Sequence, residues 1–222
     1  MRTLYHTPLS PFCRKVRLLL GEKKLEFNLI EEPVWERRKD FFRLNPAGEV
    51  PVMIDETGVI LSSSYAICEY IEESYPGYNC LGTTALERSE VRRMVSWFDV
   101  KFYQEVAQPI LFEKVFRRLM RYGEPDSEIL REGKRNILYH LDYIGHLVSE
   151  RRWLGGDFLS LADMTAAAHL SVLDYLGDVP WEHHARVKEW YAPIKSRPAF
   201  RPMLADRVRG FKPPAHYDDL DF

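Results

Sequence analysis

Residues 2–7 and 26–32 gather apolar side chains in short runs of the kind strands make. Between them, residues 11–24 place Val16, Leu19, Leu20 and Lys23 at helical spacing, a pattern that predicts a helix with Arg14, Lys15 and Arg17 turned mostly outward. Strand, helix, strand at this spacing is a βαβ unit, which implies parallel pairing and a right-handed crossover. From Trp35 to Leu44 the chain is polar and irregular, predicting a short helix that ends before Asn45-Pro46. Two short strands, Val50–Ile54 and Val59–Leu61, follow; the turn composition Asp-Glu-Thr-Gly between them suits a hairpin. Ser64 is expected to cap a helix running to about Tyr75, stopped by Pro76-Gly77.

Beyond a linker at 79–84 the periodicity is helical as far as about residue 205. Residues 87–121 form one long amphipathic stretch, expected to bend at Pro109. Residues 127–151 predict a second helix whose apolar face is Ile129, Ile137, Leu141, Ile144 and Leu147. Ser160-Leu-Ala-Asp163 is a capping box, with Leu159 and Met164 as its hydrophobic staple. It opens an almost wholly apolar helix, Met164–Leu176, which must be the buried centre of a helical domain. Shorter helices are expected at Trp190–Ser196 and Pro198–Asp206. The final segment, 210–222, has no period. Its large apolar residues Phe211, Tyr217, Leu220 and Phe222 should dock on the body of the protein or meet a partner. Asp218, Asp219 and Asp221 would favour a basic partner surface.

Composition narrows the function classes. The chain has 222 residues, enough for one large or two modest domains, and 45% hydrophobic residues, which argues against disorder. With 31 basic against 33 acidic residues, no global field draws it to nucleic acid or an anionic membrane. No apolar run approaches the length that spans a bilayer, so membrane insertion is not expected. The first residues read directly as a strand without a secretory signal, and a cytoplasmic location is the expectation. Cys13, Cys68 and Cys80 are odd in number and lack metal-ligand spacing, so neither a disulfide framework nor a metal site is expected.

Three motifs together carry a family resemblance. They are Ser10-Pro-Phe-Cys-Arg-Lys-Val-Arg17, Asn45-Pro-Ala-Gly-Glu-Val-Pro-Val52 and Ser64-Tyr-Ala-Ile67, with the capping box in its expected place. The chain resembles the cytosolic glutathione S-transferase superfamily over essentially its whole length. That resemblance implies a two-domain α/β plus all-α architecture. The thioredoxin-like N-terminal domain (βαβ-ββα, cis-Pro51) would span 1–78, a linker 79–86, the all-helical domain 87–209 and a tail 210–222. It further implies a homodimer. Stretches such as Val34-Trp-Glu-Arg-Arg38, Trp97-Phe-Asp99, His169–Trp181 and the ending His216–Phe222 resemble the FzlA family, glutathione-transferase-like proteins of alphaproteobacteria that bind the tubulin-like division protein FtsZ.

The resemblance assigns roles residue by residue. Ser10 would hold a thiolate by donating a hydrogen bond to it, and such a bond lowers a thiol's pKa; it would equally serve as the cap of the first helix. Val50 and Pro51 would pair with the backbone of a bound tripeptide, and Ser63 and Ser64 would hold its γ-glutamyl end, although Ser64 also reads as a plain helix cap. Cys13 stands at the second position of a Cys-x-x-Cys whose first position is Ser10, so dithiol exchange is not available. Two positions depart from the family. Ser63 replaces the acidic or amide residue that receives the tripeptide's amino group, and Glu49 stands where several relatives carry a lysine for its glycyl carboxylate. Arg38, with Arg37 and Lys39, is the candidate compensation; the alternative is a solvated run of charge. Phe102, Tyr103, Phe112 and Phe116 would line a second substrate site or fill core.

Two readings follow. One is a homodimeric scaffold that binds FtsZ and modulates its filaments, with weak or no glutathione binding; Glu113, Lys114, Arg117, Arg118, Tyr217, Leu220 and Phe222 are its candidate contacts. The other is a serine-type glutathione S-transferase acting on small electrophiles. Neither implies a tightly bound cofactor; glutathione enters as a substrate at most.

Overall fold

A computed structural model describes residues 1–220 of the chain. The N-terminal part runs β1 (Arg2–His6), α1 (Pro11–Glu22), β2 (Phe27–Glu31), a 3-10 turn at Val34–Glu36, α2 (Lys39–Leu44), β3 (Val52–Ile54), β4 (Ile60–Ser62) and α3 (Ser64–Ser74). The four strands form one mixed sheet in the order β2-β1-β3-β4. β1 pairs parallel with β2 and antiparallel with β3, and β3 and β4 make the expected hairpin. This is the thioredoxin-like plan, and Val50-Pro51 is a cis peptide in it.

The remainder is helical. A continuous helix, α4 (85–119), starts at a Thr84–Glu87 capping box. Its α-helical segments alternate with π-helical ones at Trp97–Ala107 and Phe112–Phe116. The helix continues through Pro109, which stands just after the π-helical turns, whose wider pitch accommodates a ring that lacks an N–H. Then come α5 (Ser127–Glu150), α6 (Leu161–Tyr175), α7 (Ala185–Lys195) and α8 (Arg201–Leu204). Every residue of α6 is buried, so it is the axis of the helical domain. Its capping box forms as expected: the Ser160 amide donates to Asp163 Oδ2 at 3.0 Å, and Ser160 Oγ accepts from the Ala162 amide at 3.2 Å. Asp163 Oδ1 also accepts from the Leu154 amide and Trp190 Nε1 at 2.8 and 3.0 Å, so one carboxylate ties three segments together. On α5, Ile129 leaves the expected apolar face and is exposed, in the first turn of the helix.

The main departure concerns α1. Arg14, Lys15 and Arg17, expected outward, are all buried, because α1 packs along α6 as well as α3. Each cation meets a partner supplied by the helical domain. Arg14 donates to Pro8 O and Ser171 Oγ, both at 2.8 Å. Arg17 makes two hydrogen bonds to Asp206, at 2.6 and 3.0 Å. Lys15 bonds to Asp99, whose other oxygen lies 3.2 Å from His169 Nε2. Buried charges persist only when paired in this way. The partners lie far along the chain, so local periodicity could not announce them.

The tail docks on the body. Tyr217 is fully buried, its hydroxyl donating to Met203 O at 3.2 Å, and Phe211 and Leu220 pack against the core. Asp221 and Phe222 lie outside the described residues, and with them the proposed contact of Phe222.

Candidate functional site

The turn after β1 delivers Ser10 to the start of α1. There its backbone is extended (φ −85°, ψ 116°) and its Oγ accepts from the Cys13 amide at 3.3 Å, so the capping role is real. Pro11 follows in the first helical turn, where its missing N–H costs nothing. Ser10 nevertheless also faces a cavity of about 390 Å³ between the two domains, lined in part by Thr7, Leu9, Phe12, Glu49, Val50, Asp99, Tyr103 and Phe116. Ser10 is thus both helix cap and part of the cavity wall.

Across Phe12 lies a groove of about 240 Å³ formed by Asn45, Ala47, Glu49, Val50, Pro51, Ser62, Ser63 and Ser64. The loop that builds it is fixed by Asn45, whose Nδ2 donates to Glu49 O at 2.8 Å and whose Oδ1 accepts from the Ala47 amide at 3.2 Å. Gly48 in this loop has φ +68°, and a Cβ there would come within 2.7 Å of the Phe42 ring, so glycine is required twice over. The sheet register begins at Val52, leaving Val50 at the groove outside the ladder. Thus Ser10, Val50, Pro51, Ser63 and Ser64 do line one continuous cleft, as the sequence predicted.

Two assignments need correction. Ser63, and not Ser64, occupies the cap position of α3, and its side chain makes no capping bond; Ser64 is the first helical residue and is buried. Ser63 takes φ +71°, a conformation L residues rarely adopt, because the chain must turn sharply from β4 into α3 there. Arg38 does not reach the cleft. Its Nη2 lies 3.1 Å from Oε2 of Glu32, a carboxylate with no solvent exposure that holds the guanidinium in place. Arg37 is drawn off too, lying 5.4 Å over the Phe42 ring.

Charge in the cleft is therefore sparse and negative. Glu49 is exposed where groove and cavity meet, and after burial it is the second cause raising the Tyr103 pKa. Asp99 is largely covered. Burial pushes its carboxyl up, but the Lys15 ammonium and the His169 hydrogen bond outweigh that and hold it below its ordinary range. Cys13 is inert: burial pushes its thiol up to about 11. Cys68 and Cys80 are likewise buried. Among the described residues no group of His, Cys, Asp or Glu is arranged to hold a metal ion, and no helix is long and apolar enough to cross a membrane.

Of the four aromatics proposed for a second site, Tyr103 and Phe116 line the cavity, while Phe102 is core and Phe112 lies outside it. Asp99, Thr7 and Phe12 were missed as cleft residues; Phe12 at least stands inside the Ser-Pro-Phe motif. Among the partner-binding candidates, Glu113 is buried and accepts from the Asp126 amide at 2.7 Å, and Tyr217 is buried with the tail, so neither side chain is presented outward. Lys114 bonds to Asp178 at 2.7 Å, and Arg117 pairs with Glu113 at 2.7 Å. Arg118 is exposed and steadies the tail, donating to Gly210 O at 3.2 Å. Leu220 is half-buried.

Comparison with known proteins supports this anatomy. The family models for the glutathione S-transferase N-terminal and C-terminal domains match residues 4–79 and 107–198. FtsZ-localized protein A of Caulobacter vibrioides is 49% identical over 100% of this chain and 98% of its own length. The crystal structure of a glutathione S-transferase from Rhodospirillum rubrum F11 is 51% identical, covers 100% of both chains and superposes with a TM-score of 0.97. The structure of FzlA from C. crescentus, 49% identical, gives the same TM-score over 100% of this chain and 99% of that one.

Proposed function

The chain belongs to the glutathione S-transferase family, and from that premise we propose that it is a homodimeric scaffold that binds FtsZ and modulates its filaments in bacterial division, with little or no affinity for glutathione. The observation that carries this reading is the full-length likeness to FtsZ-localized protein A. The cleft supports it: among the described residues no cation lines either lobe, while glutathione brings two carboxylates. Losing a charge-assisted hydrogen bond costs roughly 1.5–3 kcal/mol, about ten- to a hundred-fold in affinity per anchor. A dimer would offer two filament contacts at once, and the second then forms at high effective concentration. The site of action is the cytoplasmic division plane, and the domain borders at 78/79 and 86/87 with a tail from 210 belong to the same proposal.

A serine-type transferase is the second reading. It rests on Ser10 facing the cavity and on the likeness to the R. rubrum glutathione S-transferase. The two separate cleanly by co-sedimentation. Purified protein should pellet with GTP-assembled FtsZ of its own organism at low salt and stay in the supernatant without filaments. Absence from the filament pellet would overturn the scaffold reading.

A further inference from the structure

The groove beside Val50-Pro51 and the cavity beneath it are contiguous through Phe12, Glu49 and Val50, and together they have a consistent chemistry. Their walls hold hydroxyls (Thr7, Ser10, Ser62, Ser63), an apolar floor that includes Phe12, Leu111 and Phe116, and two carboxylates, Glu49 and Asp99. Asp99 is neutralised by Lys15. Glu49 is exposed and meets no cation within ion-pair distance among the described residues; of the basic residues that precede it, Arg38 pairs with Glu32, Arg37 lies over Phe42 and Arg43 pairs with Asp40, while Lys39 is exposed and makes no ion pair with Glu49. What remains is one uncompensated negative charge at the junction of an extended-backbone groove and an aromatic pocket.

We propose that this cleft takes a cationic, apolar segment of extended peptide, with a lysine or arginine side chain set against Glu49 and a neighbouring aromatic or aliphatic side chain in the cavity between Phe12, Tyr103 and Phe116. The inference rests on the reading of the cleft as closed to glutathione and adds the class of ligand it accepts. Val50, outside the sheet ladder, supplies backbone groups to the peptide; Glu49 selects its sign of charge. Apolar burial contributes affinity without regard to sign, so the charge of the ligand is the discriminating variable.

The test uses the intact protein and two probe octapeptides, Gly-Ser-Phe-Lys-Val-Arg-Ser-Gly and Gly-Ser-Phe-Glu-Val-Glu-Ser-Gly, with glutathione as a third ligand. Binding is followed by amide chemical shifts at Glu49, Val50 and Ser64. The basic peptide should bind at least about tenfold more tightly than the acidic one, the weight of a single charge-assisted contact. Glu49→Gln should erase that preference, and Glu49→Lys should reverse it and admit glutathione, while both variants keep the amide spectrum of the folded protein. Equal binding of the two octapeptides, preference for the acidic one, or binding of neither would overturn the inference. Glutathione binding to the unaltered protein would overturn the reading beneath it as well, so the two failures are distinguishable.

Discussion

Single side chains carry more of this fold than their number suggests. The Asp163 carboxylate accepts from the Leu154 and Ser160 amides, from Ser160 Oγ and from Trp190 Nε1, all buried. Asp163→Ala strands four donors, each of which costs free energy when left unpaired away from water. The expected loss is about 3 kcal/mol or more, a fall of roughly 10 °C in melting temperature, read by calorimetry. His6 gives the second prediction. Burial, followed by the neighbouring Arg17 charge, lowers its pKa from 6.5 to about 4. Unfolding restores the ordinary value, so between pH 6.5 and about 4 the unfolded chain binds the extra proton. Stability is therefore complete above that window and declines as pH falls through it, by roughly 3 kcal/mol at the acid end. Burial lowers the pKa of His140 and His169 in the same direction. Urea midpoints measured across this range should slope upward with pH, and His6→Gln should flatten the slope.

Between elements, the decisive contact is α1 against the helical domain. Lys15 and Asp99 come from the two domains and join under the cavity floor, with Asp99 also facing it. Removing one member of a buried pair leaves the other uncompensated, typically at a cost of about 3–5 kcal/mol. Asp99→Ala should therefore destabilise strongly, and Lys15→Met on that background should recover a large part of the loss; chemical denaturation of the single and double variants checks this. Such coupling explains where sequence reading succeeded and failed. Strand, helix and turn order was legible because each element announces itself locally: Asp-Glu-Thr-Gly makes the β3–β4 turn, and Ser160 and Asp163 start α6. The orientation of α1 was not, since Arg14 and Arg17 look like a solvated face until Ser171 and Asp206 arrive from more than 150 positions away. In the cleft, Ser10, Val50 and Pro51 sat in recognisable motifs, whereas the capture of Arg38 by Glu32 depends on a burial that no spacing encodes.

Taken together, the two domains enclose a cleft that keeps the family's backbone frame, with Ser10 at one end and cis-Pro51 along its side, but presents a carboxylate where an anionic tripeptide needs cations. Frame and charge thus point in different directions, and on the proposed reading charge decides which ligand enters. Binding calorimetry with reduced glutathione puts this to the question most directly. The expectation is no saturable heat below about 1 mM ligand, the range reached once two anchoring charges are gone. A saturating isotherm with a dissociation constant of about 10 µM would contradict it and return the cleft to tripeptide chemistry.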